Sequence, residues 1–308
     1  MVPVSSPVLT PPRRVALCVP AVRPRVVEKA LAAGADEVVV DLEDAVAVDD
    51  KVAARAALGD IDLAGGPAVR IAVRVNGIDT PWFVRDLEAA VALADRCHRT
   101  RPGAAPLTVV LPKTESRADL AAVERVLDAL EAERGGGAPP LGVQALVETA
   151  AGLHRVDEIV ADVRRVVAVV IGYADLAGSL GRGEGWSAGG WTVAAERVLW
   201  AARAAGLDAV DGPWLSVADD AAFGEAARGA AARGFDAKWV IHPRQVGTAR
   251  TALAPSAAAV QHARRVLDTL AAAADEGSGA VQLDGRLLDA AMAVDARRVL
   301  RRAGEDVR

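Results

Sequence analysis

Charged or special polar residues stand where the apolar, valine-rich runs of this chain end. Six of them close successive runs: Asp41, Arg74, Lys113, Glu148, Asp175 and His242. Helix-like segments separate the runs, which is typical of strands in a parallel sheet. Because the active sites of parallel α/β folds form at the carboxyl ends of the strands, this pattern predicts the fold and the place of the site together.

Glu148 and Asp175 are the strongest candidates for a metal site. Each is expected at the end of one of two neighbouring strands, so the two carboxylates could face one point. Two carboxylates without a nearby histidine or cysteine select a hard cation, above all Mg²⁺, which usually keeps several waters that a substrate can replace. The alternative is that both residues cap helices or form salt bridges.

Arg74 ends the third predicted strand and could bind a substrate carboxylate or stabilise a developing oxyanion. A structural pair with Asp41 or Glu43 is the alternative. The acids of Asp41-Leu-Glu43-Asp44 repel one another, so some of them must be paired or partly neutral. We expect them to act as supporting residues that orient Arg74, Lys113 or metal-bound waters.

Two further strand-end residues are predicted to support the site. Lys113 could form a Schiff base, as in class I aldolases, but nearby acids would hold it protonated, which favours a structural or electrostatic role. A single histidine such as His242 is more typical of a hydrogen-bonded structural residue than of a catalyst.

Eight strand-like runs alternating with helix-like segments predict a (β/α)₈ TIM barrel over residues 15–250. The runs are continuously apolar, as expected for parallel strands that are buried on both faces. Neither G-x-G-x-x-G nor G-x-x-x-x-G-K-[ST] occurs, which weakens the alternative of a doubly wound nucleotide-binding sheet. The glycine-rich stretch Gly178–Gly190 is expected to be a long loop. The strands are predicted near residues 15–19, 37–41, 70–75, 108–112, 142–148, 166–172, 208–212 and 238–242, and the helices near residues 24–33, 49–58, 83–98, 117–133, 151–161, 192–205 and 219–233.

Two segments flank the predicted barrel. Residues 1–14 carry four prolines and no apolar signal-peptide region, so we interpret them as a disordered tail. Residues 251–308 exceed what one closing barrel helix needs, and two helices are expected there, Ser256–Ala274 and Arg286–Arg302. We interpret this extension as a helical lid, or as an arm that reaches another subunit.

The composition is that of a soluble globular protein, with 25% charged and 52% hydrophobic residues. A net charge of −5 provides no electrostatic footprint for nucleic acid, and no apolar run approaches the roughly 20 residues that cross a membrane. Cys18 and Cys97 form no CxxC pair and are interpreted as incidental thiols in a reducing compartment. A cytoplasmic protein without nucleic-acid or membrane partners is therefore predicted.

The chain resembles the HpcH/HpaI aldolase and citrate lyase β-subunit (CitE-like) superfamily over nearly its whole length. Each marker is weak by itself, but together and in this order they are specific. The markers are Val19-Pro20 with Arg23-Pro24, Asp41-Leu-Glu-Asp-Ala-Val46, Arg74-Val-Asn-Gly77, Leu111-Pro-Lys-Thr-Glu-Ser116, Val147-Glu-Thr149, Gly172-Tyr-Ala-Asp-Leu176, Val210-Asp-Gly212, Gly234-Phe-Asp-Ala-Lys238, Ile241-His-Pro243 with Gln245, and Asp284-Gly-Arg-Leu-Leu-Asp289.

The resemblance implies a (β/α)₈ barrel whose Mg²⁺ is bound by Glu148 and Asp175, with Arg74 and Glu148 at the substrate. It implies a lyase that makes or breaks a carbon–carbon bond beside a coenzyme A thioester, as in citryl-, malyl- or citramalyl-CoA cleavage to an acyl-CoA and an α-keto acid such as oxaloacetate. Asp289 matches a C-terminal acid that acts as acid/base at a neighbouring subunit's site in some relatives. This match implies a homo-oligomer, expected to be a trimer.

One loop departs from the family pattern and leaves other functions open. Relatives usually have a Gly-Ser loop after the first strand, near the acyl-CoA, whereas this loop reads Val19-Pro-Ala-Val-Arg23. Arg23 and Arg25 could still meet phosphates. Three alternatives remain: a malyl-CoA-type thioesterase, a CoA-independent aldolase that uses pyruvate, and a non-catalytic subunit of a lyase complex. Asp289 favours the CoA-dependent branch.

Overall fold

Eight parallel strands close into a barrel in the order of the sequence, which confirms the predicted (β/α)₈ fold. The computed structural model describes residues 12–63, 69–135, 137–182, 188–275 and 281–305. Each strand pairs with the next, and the first pairs with the last. The strands are β1 Val15–Pro20, β2 Glu37–Asp41, β3 Arg70–Arg74, β4 Thr108–Leu111, β5 Gly142–Val147, β6 Val166–Ile171, β7 Asp208–Asp211 and β8 Ala237–Val240.

Helices follow the strands and begin and end at the expected local signals. Pro24 occupies the first turn of α1, Ser116 and Asp119 form a capping box at the start of α4, and Gly234 ends α9 with a φ of 107°. The helices of this unit are α1 Pro24–Leu31, α2 Lys51–Ala57, α3 Phe83–Thr100, α4 Arg117–Glu133, α5 Ala150–His154, α6 Val156–Ile159, α7 Tyr173–Ser179, α8 Thr192–Ala204, α9 Ala221–Arg233 and α10 Gln245–Leu253.

The strands are apolar throughout because both of their faces are buried. Alternate side chains of β2 pack differently: Val39 belongs to a cluster inside the barrel, whereas Val38 and Val40 pack between the strands and the helices. All eight strands contribute side chains to the inner cluster, and the largest of these side chains is that of Trp239. The packed barrel therefore holds its strand ends in fixed positions.

Two local predictions were wrong, and one helix was missed. The loop expected from Gly178 is partly helical, because α7 continues to Ser179; residues 183–187 of that stretch lie outside the described residues. One predicted helix over 151–161 is interrupted at Arg155, between α5 and α6. α10, which was not predicted, follows β8, so a helix follows each of the eight strands.

Val15–Leu253 form one compact unit, and residues 254–305 group with residues 12–14 as a second one. The second unit contains α11 Ala257–Asp275, β9 Val281–Leu283, β10 Arg286–Leu288 and α12 Ala290–Ala303. Its own small core lies mainly between α11 and α12. The disordered tail predicted over residues 1–14 lies largely outside the described residues.

The predicted helix from Arg286 is wrong at its start, because residues 286–288 pair with β9 as an antiparallel hairpin. Asp284 and Gly285 both have positive φ, 51° and 76°, as a two-residue hairpin turn with an Asp-Gly sequence requires. The helix begins instead after Asp289, whose side chain caps it. Among the described helices, none is both long enough and apolar enough to span a bilayer.

Candidate active site

Asp41 anchors the charged residues at the ends of β2 and β3. Its carboxylate is fully buried and accepts hydrogen bonds from the backbone N–H groups of Glu43 (2.8 Å) and Ala45 (3.1 Å). These bonds fold the segment after β2 back over the strand end. The same carboxylate accepts two parallel hydrogen bonds from Arg74, from Nε at 2.7 Å and from Nη2 at 2.5 Å. The fork is possible because Asp41 and Arg74 face each other in the β2–β3 register.

Arg74 is held between acids and an aromatic ring. Its Nη1 lies 2.9 Å from Glu43 Oε2 and 3.8 Å from Asp44 Oδ2, and its guanidinium lies 5.8 Å from the centre of the Trp239 ring. Burial acts to lower the pKa of Arg74, but the charge and hydrogen bonds of Asp41 outweigh it and raise the pKa well above its ordinary value. The structural pairing that the sequence left as an alternative is thus present.

The hydrogen bonds to Asp41 and the ion pair with Glu43 do not occupy every N–H group of the guanidinium. It carries five N–H groups, and one N–H on each Nη remains beyond those that these two acids accept. With a side chain that is 12% exposed, Arg74 keeps a small open surface at the strand ends. Arg74 can therefore contact an anion there without releasing Asp41.

Lys113 connects residues 41–44, which we call the acidic loop, to Glu148 and Asp175. It follows β4 in a left-handed conformation with φ of 49°, and its Nζ lies 2.5 Å from Glu43 Oε1 and 3.9 Å from Asp175 Oδ2. Its backbone N–H donates to Glu148 Oε1 at 2.9 Å. Partial burial acts to lower the pKa of Lys113, but the hydrogen bond and charge of Glu43 outweigh it and raise the pKa. A protonated amine is no nucleophile, so the Schiff-base role is disfavoured.

Glu148 follows β5 and is buried, with 3% of its surface exposed. Burial, reinforced by the nearby charge of Asp175, raises its pKa to about 8. Close packing is possible because residue 172 is a glycine: a Cβ there would lie 2.5 Å from Glu148 Oε2. Asp175 stands in the first turn of α7 and is 38% exposed. Of the two carboxyl groups, that of Glu148 is thus buried and that of Asp175 is in part open to solvent.

Seven predicted site residues are connected by contacts of 3.9 Å or less, and we call them the strand-end cluster. They are Asp41, Glu43, Asp44, Arg74, Lys113, Glu148 and Asp175. The five carboxylates exceed the two cations, and a divalent cation would offset the burial and the nearby charge of Asp175 that together raise the pKa of Glu148. Within the part of the chain that the structure describes, no three His, Cys, Asp or Glu side chains are placed to hold one metal ion together. Mg²⁺ usually keeps several water ligands and is bound through only one or two carboxylates of a protein.

The other two predicted site residues are His242, in the barrel unit, and Asp289. His242 stands just beyond β8, where its Nδ1 accepts a hydrogen bond from the backbone N–H of Arg244 at 3.2 Å. Within the described residues it makes no hydrogen bond or ion pair with the strand-end cluster. Asp289 belongs to the second compact unit and is exposed, and its carboxylate accepts hydrogen bonds from the N–H groups of Ala291 (2.9 Å) and Met292 (3.2 Å).

The sequence analysis missed Lys51 and Asn76, two residues whose hydrogen bonds hold the backbone of the acidic loop. Lys51 donates to the carbonyl oxygens of Leu42 and Glu43, and Asn76 Nδ2 also donates to that of Leu42. Asn76 stands inside the family marker that begins at Arg74, and this position was the available signal. Nothing about a lysine at the start of a helix indicated a buried tertiary contact.

A family model for HpcH/HpaI aldolase/citrate lyase matches residues 14–243. The chain belongs to this family. The family resemblance seen in the motifs is thereby confirmed. The prediction of an enzyme is also confirmed, because this is a family of lyases. The eight-stranded barrel and its flanking helices are the fold of the citrate lyase β-subunit structures.

Relatives cover almost the whole chain. It is 35% identical to an L-malyl-CoA/beta-methylmalyl-CoA lyase of Cereibacter sphaeroides, over 95% of both proteins. A (3S)-malyl-CoA thioesterase of the same organism is also 35% identical, over 95% of both. The structure of CitE from Mycobacterium tuberculosis in complex with magnesium, acetoacetate and coenzyme A is 37% identical, with a TM-score of 0.71 over 97% of this chain and 100% of that one.

Proposed function

We propose that the protein is a Mg²⁺-dependent carbon–carbon lyase acting on a 3-hydroxyacyl-CoA thioester such as citryl-, malyl- or citramalyl-CoA. Cleavage gives an acyl-CoA and an α-keto acid, and the reverse reaction joins them. The observation that carries the proposal is the strand-end cluster, in which the buried carboxyl of Glu148 and the more exposed carboxylate of Asp175 stand near a charged arginine. The malyl-CoA lyase relative and the CitE complex with magnesium support the same chemistry.

Glu148 and Asp175 would hold the Mg²⁺. Both are carboxylates, and the pKa of Glu148 is raised by burial and by Asp175, as expected for a pair whose charge a metal would balance. A bound Mg²⁺ would supply Lewis-acid polarisation of the substrate oxygen at which negative charge changes. Lys113 keeps Glu148 oriented through its backbone N–H, in the manner of residues that support metal ligands.

Arg74 would bind the keto-acid part of the substrate. Its raised pKa keeps the guanidinium charged, and the fork to Asp41 fixes its direction before any substrate arrives. A donor fixed in this way stabilises developing oxyanion charge without the cost of reorganising at the moment of reaction. The acids Asp41, Glu43 and Asp44 thus serve to aim the arginine and would not themselves react.

Asp289 would transfer the proton that carbon–carbon cleavage requires. When the bond breaks, the hydroxyl group of the substrate loses its proton and becomes the keto group, and the electrons of the broken bond form the enolate of the thioester. The α-carbon of that enolate must then gain a proton, so the cleavage consumes no proton overall. In the reverse direction the same carboxylate would remove this proton. Because Asp289 lies in the second compact unit and is exposed, we propose that it acts on the site of a neighbouring copy in a homotrimer.

Thioester hydrolysis is the second candidate, because the thioesterase relative is as similar to this chain as the lyase relative. A panel of acyl-CoA thioesters with Mg²⁺ separates the two activities by their products. The proposal expects acetyl-CoA and an α-keto acid in equal amounts. Free CoA with an intact hydroxy acid would identify a thioesterase, and turnover of pyruvate with an aldehyde alone would identify a CoA-independent aldolase. No turnover of any of these would favour a non-catalytic subunit.

A further inference from the structure

Lys51 is a buried lysine whose ammonium group is held by backbone carbonyls. Only 6% of the residue is exposed, and Nζ donates to Leu42 O at 2.9 Å and to Glu43 O at 2.7 Å. The nitrogen also lies 5.7 Å from the centre of the Trp82 ring. Within the described residues, no carboxylate lies within 4.0 Å of it. The charge is therefore compensated by the dipoles of the segment that it holds.

The position of Lys51 in its helix does not explain its burial. It is the first residue of α2, where the helix dipole disfavours a cation. Burying an ammonium group without a paired carboxylate is also unfavourable. The direct hydrogen bonds of the ammonium group to the carbonyls of Leu42 and Glu43 offset these costs, with smaller contributions from the Trp82 ring and the charge of Asp86.

Asn76, which follows β3, forms a second hydrogen bond to the same segment. Asn76 Nδ2 donates to Leu42 O at 3.0 Å, and Asp86 fixes this amide by accepting from Asn76 Nδ2 at 2.6 Å and from Asn76 N at 3.0 Å. Arg55, one turn along α2 from Lys51, lies 3.3 Å from Asp86. The Leu42 carbonyl thus accepts two side-chain donors that come from different elements.

The segment held in this way carries the carboxylate that joins two parts of the strand-end cluster. Glu43 places one oxygen 2.9 Å from Arg74 Nη1 and the other 2.5 Å from Lys113 Nζ. Rotation of the Leu42–Glu43 peptide would move this carboxylate away from one cation or from both. We propose that Lys51 and Asn76 are positioning residues, which hold that peptide so that Glu43 keeps Arg74 aimed at the keto acid. The inference rests on the proposed function for its substrate.

The test compares Lys51→Met with wild-type protein by hydrogen exchange and by calorimetric titration with pyruvate in the presence of Mg²⁺. Lys51→Met is expected to speed exchange of the backbone amides of residues 43–46 and to raise the pyruvate Kd about tenfold, the effect of losing one charge-assisted hydrogen bond. In a Glu43→Gln background the same substitution is expected to change the Kd by less than about twofold, because its effect passes through Glu43. An equal, additive effect in both backgrounds would overturn the inference.

Arg96→Met is the matched control, because Arg96 also donates to backbone carbonyls, those of Leu58, Gly59 and Ile61. It is expected to leave pyruvate affinity unchanged, and a similar loss of affinity would show a general effect of destabilisation and overturn the inference. If Lys51→Met does not fold, Asn76→Ser removes a single donor to the Leu42 carbonyl and is judged by the same criteria.

Hydrogen exchange separates failure of this inference from failure of the proposed function. Unchanged exchange of residues 43–46 in Lys51→Met overturns the positioning role, whatever the wild-type protein binds. If the wild-type protein neither binds pyruvate nor cleaves a CoA thioester, the proposed function fails. Faster exchange of residues 43–46 would then still confirm the hold of Lys51 on the peptide, while its purpose in aiming Arg74 would fall with the proposed function.

Discussion

At the scale of single residues, the site is organised by unequal burial of similar groups. Glu148 and Asp175 are both carboxyls, but Glu148 is 3% exposed and Asp175 is 38% exposed. Burial disfavours the charged form, so the pKa of Glu148 rises to about 8. Glu148 must therefore lose a proton before it can bind a metal cation.

Mg²⁺ binding is consequently expected to release a proton. With a pKa of about 8, Glu148 is roughly nine-tenths protonated at pH 7 in the metal-free protein. Calorimetric titration with Mg²⁺ in buffers of different ionisation enthalpy should report close to one proton released per ion at pH 7 and almost none near pH 9.5. The apparent affinity should rise with pH until about pH 8 and then level off. Glu148→Gln serves as the control, and proton-independent binding by the wild-type protein would contradict this assignment.

At the scale of elements, the junction of β6 and α7 brings the two carboxylates together. Residue 172 has no side chain, which lets the end of β6 pass against Glu148, and α7 begins directly afterwards and carries Asp175. A Cβ at position 172 would lie 2.7 Å from Glu148 Cβ as well as 2.5 Å from Oε2. The space is thus reserved for the buried carboxylate.

Gly172→Ala is therefore expected to displace Glu148 and to weaken Mg²⁺ binding about tenfold or more, the range seen when the support of a metal ligand is lost. Calorimetry and the midpoint of thermal unfolding, measured together, separate this effect from unfolding. Gly178→Ala in α7 is the control, because a Cβ there meets nothing within 4 Å. Equal Mg²⁺ affinity for the two variants would show that position 172 does not control the metal site.

The loop between β1 and α1 is the segment in which the sequence analysis expects a departure from the family pattern. Arg23 and Arg25 are exposed and have no ion pair within the described residues. If they meet the phosphates of coenzyme A, the double substitution Arg23→Ala/Arg25→Ala should raise the KM for the thioester about tenfold and reduce its dependence on salt. Affinity for the keto acid should not change. Arg125→Ala, on an exposed position of α4, is the control, and an unchanged KM in the double variant would place the phosphates elsewhere.

The elements also show how much of the structure could be predicted from the sequence. The end of each strand follows from where an apolar run stops, so Asp41, Arg74, Glu148 and the parallel order of β1–β8 were predictable. The hairpin of β9 and β10 carries its Asp-Gly turn signal, but the apolar residues after it fit a helix equally well. The role of Lys51 could not be predicted from the sequence. The contact between α2 and the acidic loop depends on tertiary packing, which produces no periodic pattern in the sequence.

At the scale of the whole molecule, the proposal that Asp289 acts at the site of a neighbouring copy predicts complementation between copies. Asp289→Ala lacks the proton-transfer acid, and Glu148→Gln lacks a metal ligand. If the acid comes from a neighbouring copy, a mixed trimer contains a site with both groups intact. Co-expression of the two variants should restore part of the activity that each has lost.

Asp295→Ala, at an exposed position of α12, should keep its activity and shows that the helix itself tolerates substitution. If the mixture of Asp289→Ala and Glu148→Gln stays inactive while sedimentation shows mixed oligomers, Asp289 does not act between copies.

The most direct measurement is the rate of acetyl-CoA formation from malyl-CoA by wild-type protein and by Glu148→Gln, each with Mg²⁺ and with a chelator. The account predicts acetyl-CoA and an equal amount of α-keto acid from the wild-type protein with Mg²⁺ alone, with turnover lost on chelation and in Glu148→Gln at every Mg²⁺ concentration. Acetyl-CoA formed by Glu148→Gln at the wild-type rate, or by the wild-type protein without metal, would contradict it.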